Sequence, residues 1–251
     1  VLQWFHDKDT AIFCDFLTPW PTLKAVQLAR RSTLERFFRN HHVRYADVIT
    51  QRLDAIKSAT PLTTDDGIIT PNVLLVQALV AQLRVTLPAI EEFDKAIAHR
   101  AQRHPDFPLF AALPGAGAVL APRLLVAFGE PRDRYASADE LQRYAGIAPV
   151  TERSGNKSWV HWRLQCPKFL RQTFVEWAAE STRHSFWARA YDQQQRDKGA
   201  SHQAAVRALA FKWIRILFRC WQNRTRYEEA IYLNALQRRG APLLHSLAHG
   251  S

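Results

Sequence analysis

With 251 residues, 47% apolar and 23% charged, the sequence holds enough apolar material for one large domain or two small ones, which excludes a disordered or low-complexity chain. Three widely spaced cysteines (Cys14, Cys166, Cys220) without a C-x-x-C pair exclude a disulfide framework and a zinc ribbon, and fit a reducing cytoplasm. The net charge of +11 is confined: Leu141 to Arg226 carries 16 Lys and Arg against 5 Asp and Glu, while the rest balances at 18 against 18.

A positive field on one third of the sequence implies a polyanionic partner. No strongly apolar helix face accompanies the charge, which favours nucleic acid over a membrane. No apolar run is found that approaches the roughly 18 residues of a bilayer span. The opening Val1 to Asp7 does not form a signal peptide, and a start at Val without any Met is expected of a fragment.

In chain order, residues 1–21 are aromatic-rich, carry Pro19 and Pro21, and predict an entry segment. Leu23 to Arg39 has helical periodicity, with Leu28, Leu34, Phe37 and Phe38 placed to pack, and His41 to Thr60 gives a second helix. Asp7, Asp9 and Asp15 read as solvated acids, since no fixed framework holds them as metal ligands. After a polar break from Pro61 to Pro71, a long helix runs to about Arg103. Its Val76, Leu83, Ile90 and Ile97 fall seven apart, with Leu79, Leu87 and Phe93 between them, which predicts a coiled-coil or bundle seam. Pro88 is expected to kink that helix or end its first half.

Leu113-Pro114-Gly115-Ala116-Gly117 then precedes an apolar run and reads either as a helix-hairpin-helix or as an ordinary turn between two packed helices. Gly115 and Gly117 are free to take positive φ and admit another backbone, and the following helix offers unpaired N–H groups to a phosphate. Ser137 and Glu140 read as a capping box for a short helix ended by Gly146. Val150–Arg153 and Ser158–Arg163 are expected to pair as a β-ribbon presenting Ser154, with Arg153, Lys157 and Arg163 as cationic neighbours for a phosphate. By spacing alone Ser154 is either a turn residue or a nucleophile, because a serine hydroxyl needs activation.

Helices follow over Lys168–Thr182, Trp187–Lys198, Gln203–Gln222 and Arg226–Arg239. Lys168 and Arg171 join the basic set, and Lys212, Arg215 and Arg219 fall three and four apart as a row fit to track a phosphate backbone, extended by Gln222 and Arg226. Six of the eight tryptophans lie in this basic third. Most are expected in the core, with Trp177 and Trp213 on periodic faces, although an exposed one could stack on an unpaired base.

The fold expected is mainly α: a helical linker over 1–105, a helical domain with a helix-hairpin-helix and short β-ribbon over 106–240, and a loose tail over 241–251. Taken together, Leu113–Gly117, Tyr144-Ala145-Gly146-Ile147-Ala148-Pro149, Arg153-Ser154-Gly155 and Lys168-Phe169-Leu170-Arg171 resemble the DEDD transposase family of bacterial insertion sequences. The resemblance implies an N-terminal RuvC-like domain with a metal-binding acidic tetrad, a coiled-coil linker, and a C-terminal transposase domain with a catalytic serine, here Ser154. It further implies attack on a DNA phosphodiester through a phosphoserine link, choice of target by a guide RNA, and a place in the bacterial cytoplasm at the nucleoid. Residues 1–105 show no spaced carboxylates for the tetrad, so no metal site is expected in this chain, and Mg²⁺ belongs to the RuvC-like domain. The helical linker implies a homo-oligomer, and no membrane partner is expected. Two other readings stay open: a non-catalytic helix-hairpin-helix binder of nucleic acid, and a helical oligomerisation module.

Overall fold

The computed structural model describes residues 4–161 and 163–240; Trp162 and the tail over 241–251 lie outside the described residues. The mainly α expectation holds: twelve helices and a single two-stranded ribbon are present among the described residues. The chain divides into two compact units, Val1–Phe93 and Asp94–Ser251, with the division inside one long helix.

The first unit contains α1 (Ala11–Leu17), α2 (Leu23–Leu28), α3 (Arg31–Asn40), α4 (Ala46–Ser58) and α5 (Asp66–Gln102) as far as Phe93. The entry segment is not plain coil. Its aromatic side chains fold it into α1, which buries Phe13, Cys14, Phe16 and Leu17. Phe16 lies 5.0 Å from Phe5 and 6.1 Å from Phe38, centroid to centroid. The single helix expected over Leu23–Arg39 is two, because Ala29 (ψ 142°) and Arg30 (ψ 137°) are extended. Leu28, expected to pack, is 76% exposed at that break. Asp15 is not simply solvated: it pairs with Arg84 at 2.6 Å and His41 at 3.0 Å.

The α5 helix runs through Pro88 without ending there. Proline removes one N–H, but Pro88 and Arg84, whose carbonyl loses its partner, are both exposed, so the break lies on the open side of the helix. Burial follows Val76, Val80, Leu83 and Leu87, at alternating spacings of four and three. The outer seam positions Leu79, Ile90, Phe93 and Ile97 are instead 49–68% exposed. By length and composition α5 is apolar enough to cross a membrane, with a mean hydropathy of 1.8 over its best 18 residues. This corrects the sequence expectation: Gln77, Gln82, Arg84 and Thr86 interrupt the apolar stretch without making its mean polar.

The second unit adds α6 (Phe107–Ala111), α7 (Gly117–Phe128), α8 (Ala138–Tyr144), β1 (Val150–Ser154), β2 (Lys157–His161), α9 (Lys168–His184), α10 (Phe186–Asp197), α11 (His202–Asn223) and α12 (Glu229–Arg238). Its centre is α11, whose Leu209, Trp213, Ile214, Leu217 and Trp221 are buried together with Phe174 and Trp177 of α9. Trp213 stands 4.7 Å from Trp177 and 4.6 Å from Trp187 between ring centroids. A buried indole N–H needs an acceptor, and each has one. Trp177 donates to Pro114 O, Trp213 to Ser181 Oγ, Trp187 to Tyr227 Oη and Trp221 to Gly129 O. Four of the six tryptophans in the basic third are thus core, as expected.

Half of the expected capping box forms: Glu140 N–H donates to Ser137 Oγ at 3.1 Å, but Glu140 Oε2 reaches past the N-cap residue and accepts from Ala136 N–H at 2.6 Å. Buried Gln142 on the same helix donates to Phe211 O at 2.6 Å, tying α8 to α11. In the loop after α7, Arg132 pairs with buried Asp106 at 2.6 Å and lies 4.8 Å from the Trp221 ring centroid.

Candidate nucleic-acid interface

The ribbon pairs β1 and β2 antiparallel, with Val150 opposite His161, Glu152 opposite Trp159 and Ser154 opposite Lys157. Gly155 and Asn156 make the two-residue turn; Gly155 takes φ 58°, the glycine-first pattern of a type II′ hairpin, which suits the strand twist. A cross-strand pair sits about 5 Å apart at Cβ, so Lys157 brings its ammonium group within reach of anything bound at Ser154. Both residues are exposed. Side chains alternate between faces, so Ser154, Lys157, Glu152, Trp159, Val150 and His161 share one face, while Arg153 lies on the other with Thr151, Ser158 and Val160. Arg153 therefore flanks Ser154 in sequence without sharing its face.

On the serine face, Glu152 joins two partners. Its Oε2 accepts the Trp159 indole N–H at 3.1 Å, and its Oε1 lies 3.3 Å from His161 Nε2. No described side chain hydrogen-bonds with Ser154 Oγ. The hydroxyl is thus presented but not activated from within the ribbon.

The ribbon is anchored where the chain enters and leaves it. Gly146 (φ 68°) ends α8 directly against Cys166, which follows the ribbon; a Cβ at Gly146 would fall 2.4 Å from Cys166 Sγ. Arg163, on the return, is half-buried. Beyond it, Lys168 is exposed at the first position of α9, and Arg171 is half-buried one turn on. Arg207 of α11 lies beside Arg171: burial first, and then the Arg171 charge, push its guanidinium pKa down, with Cys166 acting in the opposite sense. Arg207 still carries its charge, since even a depressed arginine stays protonated. Sequence reasoning missed Arg207 because it falls outside the basic row, about 140° around the helix from Lys212 at 3.6 residues per turn.

Lys212, Arg215 and Arg219 are all exposed along α11, as the periodicity requires. Lys212 Nζ lies 5.8 Å from the Tyr191 ring centroid. Arg226 is exposed past the helix end, but Gln222 does not extend the row, because it donates to Arg132 O at 2.7 Å. The hairpin at Leu113–Ala116 joins α6 and α7 with both glycines at positive φ (Gly115 72°, Gly117 54°). The two differ in surroundings. A Cβ at Gly115 would lie 3.0 Å from the Glu180 backbone carbon of α9, so the close backbone there is the chain's own, whereas nothing stands within 4 Å at Gly117. The exposed start of α7 is therefore at Gly117. Among the described residues no three His, Cys, Asp or Glu side chains form a metal-holding group.

The second unit thus presents an exposed ribbon with the Ser154 hydroxyl at its tip and an exposed row of cations on α11. Residues 108–193 match the model of the transposase IS116/IS110/IS902 family, and the segments Leu113–Gly117, Tyr144–Pro149, Arg153–Gly155 and Lys168–Arg171 all fall within the match. Over that stretch the chain is related to the insertion-sequence transposases of this family. It is 33% identical over 171 residues to the Streptomyces coelicolor mini-circle protein assigned as the transposase of IS117, covering 68% of this chain and 40% of that protein. It is 28% identical over 223 residues to an uncharacterized 42 kDa protein of insertion element IS900 from Mycobacterium paratuberculosis, covering 85% and 53%. An uncharacterized 43.6 kDa protein of IS110, also from Streptomyces coelicolor, is 27% identical over 169 residues, covering 65% and 42%. The chain spans about half the length of the curated relatives it matches.

Proposed function

We propose that this chain is the serine-bearing part of an insertion-sequence transposase and acts on DNA. Ser154 attacks a phosphodiester: an Oγ–P bond forms, one P–O ester bond of the strand breaks, and the strand end leaves as a hydroxyl. The serine loses its proton and the leaving oxygen gains one, so the phosphoserine link keeps the ester energy for rejoining. Lys157 holds the scissile phosphate, with Lys168 and Arg171 on the strand beyond it. Gly117 at the start of α7 and the row Lys212, Arg215 and Arg219 contact further phosphates. The observation that carries this reading is the exposed Ser154–Lys157 pair closing a ribbon inside the segment matched to the transposase family.

The described residues do not gather the carboxylates of an acidic tetrad, so no step here runs through Mg²⁺. By the resemblance, Mg²⁺ would belong to a RuvC-like domain and would polarise the same phosphate. The resemblance also gives the protein a guide RNA and a place in the bacterial cytoplasm. Leu79, Ile90, Phe93 and Ile97 keep the heptad spacing and face outward from α5, which suits a second copy of this helix and hence a homo-oligomer.

Trapping a covalent protein–DNA adduct in a transposase of the relatives' full length tests the serine. Ser154→Ala abolishes the adduct and leaves DNA binding within about twofold, as for other exposed substitutions. One observation favours a second reading, a binder without chemistry: no described group bonds to Ser154 Oγ. An adduct that survives Ser154→Ala would establish that reading for this residue.

A further inference from the structure

Among the described tryptophans, those of the helical units are buried or half-buried, and Trp159 alone is classed as exposed, at 45%. An exposed indole in mid-strand loses the burial that normally repays its size, so its position calls for a partner. Trp159 is also held in place. Its N–H donates to Glu152 Oε2 directly across the ribbon, and Glu152 is steadied on its other oxygen by His161 Nε2. The polar edge of the ring is thus satisfied within the protein, and what remains for a ligand is the apolar π-face. Trp159 shares its face with Lys157 and Ser154, two residues along β2 from the lysine. At about 3.3 Å per strand residue that is roughly 7 Å, close to the spacing of successive nucleotides in an extended strand.

Resting on the proposed DNA-directed role of Ser154, we propose that Trp159 is a stacking platform for an unpaired nucleobase next to the phosphate held at Ser154 and Lys157. The substrate this implies is a single-stranded or locally opened segment, because a base inside an intact duplex has both faces covered. Neighbouring charge agrees: the ribbon tip carries Arg153 and Lys157, and its one carboxylate, Glu152, is engaged by Trp159 and His161. Glu152 and His161 act through the indole as positioning residues.

The test is fluorescence anisotropy of the whole chain with three labelled 20-nucleotide probes: a single strand, the blunt duplex of the same sequence, and a fully abasic single strand. Stacking on an aromatic ring is worth roughly 5- to 150-fold per base. Trp159→Ala should weaken single-strand binding by that much and leave duplex and abasic binding within about twofold. Trp159→Phe, which keeps a π-face but has no N–H for Glu152, should recover most of the loss and shows that the ribbon itself is intact. If the wild type binds the single strand and Trp159→Ala binds it equally well, stacking is refuted while the nucleic-acid role stands. Equal losses on all three probes would make Trp159 structural and also refute it. If the wild type binds none of the probes, the nucleic-acid reading itself falls. Sedimentation of the wild type with anionic phospholipid vesicles, lost in Trp159→Ala with oligonucleotide affinity unchanged, would assign the indole to a membrane surface and overturn the proposal.

Discussion

Gly146 and Cys166 are pressed together at the foot of the ribbon, with room for no Cβ between them: one built on Gly146 lies 2.4 Å from the sulfur and 2.8 Å from the cysteine Cβ. This contact joins the end of α8 to the chain returning from β2, and so fixes where the ribbon stands on the helical unit. Gly146→Ala forces overpacking, costing about 1–3 kcal/mol, and a left-handed backbone with a Cβ, costing about 1–2 kcal/mol. Urea unfolding should show a loss of about 2–4 kcal/mol, only part of which Cys166→Gly restores, because the strained φ remains. A loss below about 0.5 kcal/mol, the level of an ordinary surface change, would mean the two residues do not meet.

The Asp106–Arg132 pair makes stability depend on acid. The side chains are 7% and 19% exposed, and the hydrogen bond from Arg132 holds the Asp106 carboxyl below its ordinary range, against the opposing effect of burial. A depressed carboxyl stabilises the fold in full above its unfolded value of about 3.9, and that contribution disappears as pH falls through the lower folded value. Asp106→Asn leaves Arg132 buried without its counter-charge and should cost about 3–5 kcal/mol at pH 7. The gap between variant and wild type should then narrow below about pH 4. Melting curves from pH 7 to pH 2 check this; a constant gap would contradict it.

For the row on α11, each phosphate neutralised contributes about 0.9 to the slope of log K against log salt on duplex DNA. Replacing Lys212, Arg215 and Arg219 together by Gln should lower that slope by about 2–3, with similar losses on unrelated sequences. A salt titration showing the wild-type slope in the triple variant would place this row away from the nucleic acid.

Light scattering addresses the outward seam of α5. If Ile90 and Phe93 cover a second copy, Ile90→Asp and Phe93→Asp should halve the mass measured at micromolar concentration. Thermal stability should change little, since both side chains are at least 49% exposed within the chain. A wild type that is monomeric in that range removes the seam.

Much of the second unit was legible. Helices α9 and α11 emerge within a residue or two of their predicted ends, because their apolar residues keep one period. Ser137 and Glu140 announced the α8 cap by spacing alone. In the first unit, nothing local at Ala29–Arg30 signals the break that the two extended residues make there. The heptad on α5 was visible, but periodicity cannot say which of its faces a neighbour fills, so Val80 entered the core unnoticed. In the site, the serine turn could be read while its environment could not. Strand alternation puts Arg153 on the face of the ribbon opposite Ser154, α9 fills the space beside Gly115, and Arg207 comes under the influence of the Arg171 charge only once α9 and α11 are packed.

Nine of the ten ribbon residues face solvent, whereas the four buried tryptophans of the same basic third lock the helices together. Apart from Gly155 at the turn, the hairpin's side chains therefore add little to what keeps the unit folded. Outside Arg153-Ser154-Gly155, changes to its exposed strand residues would leave melting behaviour nearly constant, so the appendage can be tuned toward a partner separately from the fold that carries it.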